Sequence, residues 1–99
     1  CAAFSAVKAG ANAFSKTLAL EAGPDHITVN IISPGRVVQP AEAQEAGRCA
    51  EDDVSRCPLG RFAQPEDVAQ AALFFLSPGA SFVTGQTLYL AGGEIMPMP

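Results

Sequence analysis

The sequence predicts an α/β fold, laid out as helix, strand, lid-like segment, helix and strand. Three observations predict it. Apolar residues recur at helical spacing over residues 2–22, a β-branched run follows at Ile27–Ile32, and Pro65-Glu66-Asp67 opens a second helix that leads into a short strand at Gln86–Leu90. Two parallel strands joined by a helical crossover form half of an α/β sheet, with a right-handed connection expected. Such a sheet is normally covered on both faces and continued by further strands. The first strand is therefore expected to carry an unpaired edge that calls for more chain or for a partner.

Each element has its own warrant. In the first helix, Phe4, Val7, Ala11, Phe14 and Leu18 fall on one stripe. A second stripe of Ala6, Gly10, Ala13, Thr17 and Leu20 is mostly small, so packing on two sides is expected. Gly23-Pro24 should stop the helix, glycine as a left-handed cap and proline against continuation. Ile27–Ile32 suits a buried strand, apolar on both faces, ended by the turn residues Ser33-Pro34-Gly35. From Gln39 to Pro58 the pattern weakens. A short helix over Ala41–Ala50 fits, but Glu51-Asp52-Asp53 and sparse apolar content point to a mobile segment at 40–57. Proline suits the first position of the second helix, and Glu66 and Asp67 suit its positive end. Val68, Ala69, Ala72, Leu73 and Leu76 form its expected core stripe, with Ser77-Pro78-Gly79 as the stop.

Composition narrows the function classes. Ninety-nine residues, 48% apolar and 16% charged, make one small globular domain with a modest core. A net charge of −4 argues against nucleic-acid binding, and the six Lys and Arg are too scattered for a membrane patch. No apolar run approaches the roughly 20 residues that span a bilayer, so a cytoplasmic location without membrane contact is expected. Cys1, Cys49 and Cys57 form no Cys-x-x-Cys pair and His26 stands alone, so no metal site is expected. The chain opens on Cys1 and runs at once into a helix, which reads as a piece of a longer polypeptide.

Six short segments stand in a telling order. They are Lys8-Ala9-Gly10 in an alanine-rich helix; Ile27-Thr28-Val29-Asn30 with Ser33-Pro34-Gly35; Pro58-Leu59-Gly60-Arg61-Phe62; Pro65-Glu66-Asp67-Val68-Ala69; Phe75-Leu76-Ser77; and Thr84-Gly85-Gln86 with Gly92-Gly93. Together they resemble the C-terminal part of the short-chain dehydrogenase/reductase family over nearly the whole chain. The resemblance is greatest to its classical acyl-carrier-protein reductases. It implies that residues 1–99 are one partial domain, the C-terminal portion of a Rossmann-type, doubly wound parallel sheet, with 40–57 as the substrate loop. It also implies NAD or NADP as cofactor of the complete family domain, and hydride transfer between nicotinamide and a carbonyl or hydroxyl substrate.

Phe4-Ser5-Ala6-Val7-Lys8 has the form of the family's Tyr-x-x-x-Lys helix with Phe4 at the tyrosine position. Residues i and i+4 share a helix face, so both groups reach one pocket. Lys8 maps onto the lysine that lowers the tyrosine's pKa and hydrogen-bonds the nicotinamide ribose; by its own pattern it reads as an ordinary surface lysine, and the matching Ala9-Gly10 and Pro-Gly loop favour the cofactor-side role. Phe4 has no ionisable proton, so general acid–base catalysis worth about 10²–10⁴-fold should be lost. As a residue it is equally a member of the Phe4–Leu18 stripe. Cys1 lies at the seven-residue separation from the lysine used by related enoyl reductases, but nothing visibly activates its thiol.

Pro34, Gly35 and Val37 are implied to hold backbone against the nicotinamide, and Gln39 takes the place of a carboxamide-binding threonine. The same residues also read as a plain strand-ending turn. Ala91 replaces an aspartate usual in the family. Asn30 is expected to satisfy backbone groups beside the strand, and Arg61 with Glu66 and Asp67 to supply a surface ion pair and helix-end charges. The sequence holds no glycine turn opening a helix, the usual pyrophosphate seat, so this chain alone is expected to bind no dinucleotide. The helices at 2–22 and 65–76 correspond to subunit contacts in the family. A homo-oligomer, dimer or tetramer, is expected, and the alternative reading is a non-catalytic oligomerisation module.

Overall fold

In the computed structural model, the described residues are 1–38 and 54–97. Gln39, the expected helix at Ala41–Ala50 and most of the 40–57 segment lie outside them. The elements are α1 (Ala2–Ala22), β1 (Ile31–Pro34), α2 (Pro65–Leu76) and β2 (Thr87–Leu90), with 3-10 turns at Gly23–Asp25, Val54–Arg56 and Pro78–Ala80. β1 and β2 pair. The Ile31 N–H donates to Gln86 O at 2.9 Å and the Gly35 N–H to Leu90 O at 3.0 Å, the constant offset of parallel strands. The fold is thus α/β with two parallel strands.

Two compact units divide the chain, Cys1–Ile32 with Ala71–Leu88, and Ser33–Gln70 with Tyr89–Pro99. In the first, α1 meets its surroundings through neither expected stripe. Ala19 is its one buried residue, with Ser15 and Ala22 half-buried on the same line. A methyl group built on Gly85 would lie 3.6 Å from Ala19 Cβ, and Lys16 Nζ donates to Gly85 O at 3.0 Å. The Phe4–Leu18 stripe faces outward: Phe4 is 63%, Val7 70% and Phe14 67% exposed.

The end of α1 also differs from expectation. Gly23 remains right-handed (φ −53°, ψ −46°), and the left-handed residue is His26 (φ 59°, ψ 32°), whose N–H closes on Gly23 O. Pro24 is tolerated because the first positions of a helical turn need no N–H. Histidine is among the side chains that enter the left-handed region most readily.

β1 begins at Ile31 instead of Ile27 and runs through Ser33 and Pro34, which the sequence marked as a turn. Both shifts have a physical cause. Residues 27–30 face the loop around Gly85 (φ +68°), where the regular ladder gives way to a backbone bond from the Gly85 N–H to Val29 O at 2.7 Å and to ties made by side chains. The Asn30 amide donates to Val83 O at 2.9 Å and its carbonyl accepts from the Gln86 N–H at 3.1 Å. Thr84 Oγ1 accepts from the Val29 N–H at 3.1 Å. Asn30 therefore does the structural task expected of it. At the other end, donors facing β2 alternate, so the register places Pro34's missing N–H on the far side and costs the β1–β2 ladder nothing. β1 is half-buried, not covered on both faces.

The bounds of α2 match expectation, but its face does not. Ala71 is buried and Val68, Ala72 and Phe75 are half-buried, whereas Leu73 is 59% and Leu76 82% exposed. From Val68 onward nearly every residue of α2 is apolar, so periodicity alone does not choose the inward side. At its start, Asp67 closes the helix end: its carboxylate accepts from the Gln64 N–H at 2.7 Å, the reach-back half of a capping box. The same carboxylate takes a two-pronged bond from Arg61 at 2.7 and 3.1 Å. This is the expected surface pair. The buried apolar set among the described residues is Ala19, Cys57, Ala71, Ala80 and Ala91, without a single large side chain.

Two outcomes follow from these ties. Asn30→Ala leaves a part-buried carbonyl and N–H without partners and should cost about 1–3 kcal/mol in urea unfolding. A loss below a few tenths would show that water replaces both bonds. The hydrogen bond from Arg61, aided by that from Gln64, lowers the Asp67 pKa from 3.8 to about 2 and raises that of Arg61. A depressed carboxylate stabilises the fold fully above its unfolded value and loses that contribution as pH falls through the folded one. Asp67→Asn should flatten stability against pH between 3.8 and about 2; an unchanged slope would contradict the assignment.

Candidate functional site

The candidate residues fall in both units. In the first, α1 carries Phe4 and Lys8 one turn apart. The Lys8 ammonium stands over the Phe4 ring, 5.4 Å from its centroid, and both residues are exposed. The helix thus brings these two groups together, as their spacing requires. Cys1 is exposed at the helix start, where its side chain caps nothing.

In the second unit, Pro34 and Gly35 leave β1, and the chain continues to a parallel bridge between Val37 and Ala63. The Ala63 N–H donates to Arg36 O at 2.9 Å and the Val38 N–H to Ala63 O at 2.8 Å. That pattern turns the Val37 N–H and C=O away from Ala63. Within the fold, Gly35 also makes room for a neighbouring segment. A Cβ there would meet Ala91 Cβ at 3.0 Å and Ala91 Cα at 3.2 Å, so the missing side chain admits the chain's own residue. Ala91 is buried. Gln39 lies outside the described residues.

A pocket of about 170 Å³ also lies in the second unit, walled by Leu59, Phe62, Tyr89 and Leu90, with Arg36, Glu94 and the Arg61–Asp67 pair around it. Its back is the turn at Ala91-Gly92. Cys57 is buried there, its thiol 3.4 Å from Gly92 O. Gly92 takes φ +59°, and a side chain on it would run into the Cys57 sulfur. Among the described residues, none of the site residues read from the sequence lines this pocket. It is assembled from residues 57–63 and 89–94 with Arg36 and Asp67, parts of the sequence that no motif spacing links.

The described residues do not fit the phosphates of a dinucleotide. A pyrophosphate needs free N–H groups at a helix N-terminus and no negative charge beside them. α2 opens with Pro65, which has no N–H, and with the carboxylates of Glu66 and Asp67. Lys8 offers an ammonium that can donate to hydroxyls, and Val37 offers backbone groups that can meet an amide.

A helix bearing a lysine on its outer face, a parallel strand leading into a Pro-Gly turn, and a second crossover helix define part of a Rossmann-type oxidoreductase domain. The chain belongs to the short-chain dehydrogenase/reductase family: the family described as Enoyl-(Acyl carrier protein) reductase matches residues 1–94. Among curated relatives, it is 40% identical over 93 residues to the 3-oxoacyl-[acyl-carrier-protein] reductase of Thermotoga maritima, covering 94% of this chain and 38% of that one. It spans 36–39% of the length of the first such relatives. An oxidoreductase of the family from Burkholderia thailandensis superposes with a TM-score of 0.81 at 41% identity, over 94% of this chain and 37% of that one. A 3-oxoacyl-[acyl-carrier protein] reductase from Brucella melitensis with bound NAD gives 0.75 at 41% identity, over 91% and 32%. The doubly wound frame implied by the six segments is the frame of these structures. Among the described residues, no helix is long and apolar enough to cross a membrane.

Proposed function

We propose that these residues supply the nicotinamide-side, C-terminal part of an NAD(P)-dependent short-chain oxidoreductase, which moves hydride between the nicotinamide and a carbonyl or hydroxyl substrate. The observation that carries this reading is the match in sequence and fold over residues 1–94, which includes a relative with bound NAD. In this reading Lys8 donates to the cofactor's ribose hydroxyls. Pro34, Gly35 and Val37 shape the backbone beside the carboxamide, and Gln39 stands at the carboxamide-binding position. Phe4 occupies the place of the proton-donating tyrosine, so the helix keeps its cofactor-side cation and lacks its acid.

The uncovered faces of the two helices favour a second reading, a non-catalytic oligomerisation module derived from the same family. A helix apolar on nearly all sides, as α2 is, belongs in contact with other protein on more than one side. Phe4, Val7 and Phe14 present a further apolar face on α1. A homodimer or tetramer built through residues 2–22 and 65–76 covers both, and its formation is compatible with either reading.

Titrating the 99-residue chain with NADH and NADPH, followed by nicotinamide fluorescence, tests the division of labour. Without a phosphate seat, the expected result is no saturable binding tighter than about millimolar. Micromolar binding would overturn the assignment of these residues to the nicotinamide side alone.

A further inference from the structure

We infer that Phe4 is a positioning residue for Lys8: its ring face seats the ammonium. The functional weight of that seat rests on the cofactor-side role proposed for Lys8, but the contact stands on its own geometry. Side chains on a helix lean toward its N-terminus, so a long chain at position 8 passes back over the residue four places earlier. Lys8 Nζ accordingly lies 5.4 Å from the Phe4 ring centroid, within the roughly 6 Å at which a ring's negative face attracts a cation.

No competing anion stands on the helix. The neighbours three and four residues away are Phe4, Ser5, Ala11 and Asn12, and the first acidic residue of α1 is Glu21. Among the described residues, Lys8 has no carboxylate within ion-pair distance. The ring is the partner that biases its rotamers. Phenylalanine and tyrosine present the same face to a cation, so exchanging one for the other removes an O–H and keeps the seat. Leucine keeps the apolar bulk and the helix propensity, and removes the seat.

The test is NMR of the 99-residue chain with ¹³C-labelled lysine, the Lys8 signals being assigned by their loss in Lys8→Arg. Ring current should move the Lys8 ε-methylene protons upfield in the native chain and in Phe4→Tyr. In Phe4→Leu they should return to the position of a free lysine, with the ring-facing rotamers roughly two- to fivefold less populated. Lys16, held by Gly85, should not move in any variant. Native Lys8 signals at the free-lysine position, or signals unchanged in Phe4→Leu, would overturn the inference. Nucleotide titration reports separately on the cofactor reading, because the ring shift is measured without nucleotide.

Discussion

Everything in this structure hangs from a parallel strand pair whose entry is held by side chains. Asn30 uses both ends of its amide to bridge the loop at the left-handed Gly85, beside the backbone bond from the Gly85 N–H to Val29 O at 2.7 Å. Only beyond that bridge does the ladder begin. The tie brings backbone close, and close backbone admits only small side chains: Ala19 beside Gly85 in one unit, Ala91 against Gly35 in the other. The buried set is consequently alanine and cysteine. Large apolar side chains stay on the outer faces of the helices, where burying one is worth about 1.5–3 kcal/mol to any assembly that covers it.

This geometry explains what could be read from the residues and what could not. Both helices were legible, because apolar spacing and the Pro-Glu-Asp start are local signals. So were the last strand, the Asn30 tie and the Arg61–Asp67 pair. The bounds of the first strand were not. Its start depends on the loop before β2, whose groups tied to Asn30 lie 53 and 56 residues away in sequence, and its end depends on which way the register turns Pro34. The inward faces of the helices were illegible for a related reason. α1 touches its surroundings through Ser15, Ala19 and Ala22, a line with no apolar bulk, and α2 is too uniformly apolar to declare a side. The left-handed residue moved from Gly23 to His26 because Pro24 fits a helical turn as readily as it ends one.

The site was legible only where it is local. Phe4 and Lys8 lie four residues apart on one helix, so their meeting needed no tertiary information. Gly35 shows the opposite case. A glycine in a Pro-Gly turn has several uses, and only the fold reveals that Ala91 fills the space it leaves. The pocket behind Cys57 had no local signal at all, since its walls come from two distant segments.

Taken together, the helix that carries Lys8 also exposes Phe4, Val7 and Phe14. The central claim is that α1 and α2 are interface helices whose exposed faces are covered by other protein. Light scattering of the 99-residue chain at micromolar concentration tests it most directly. The account predicts two or more copies per particle, and a monodisperse monomer would contradict it.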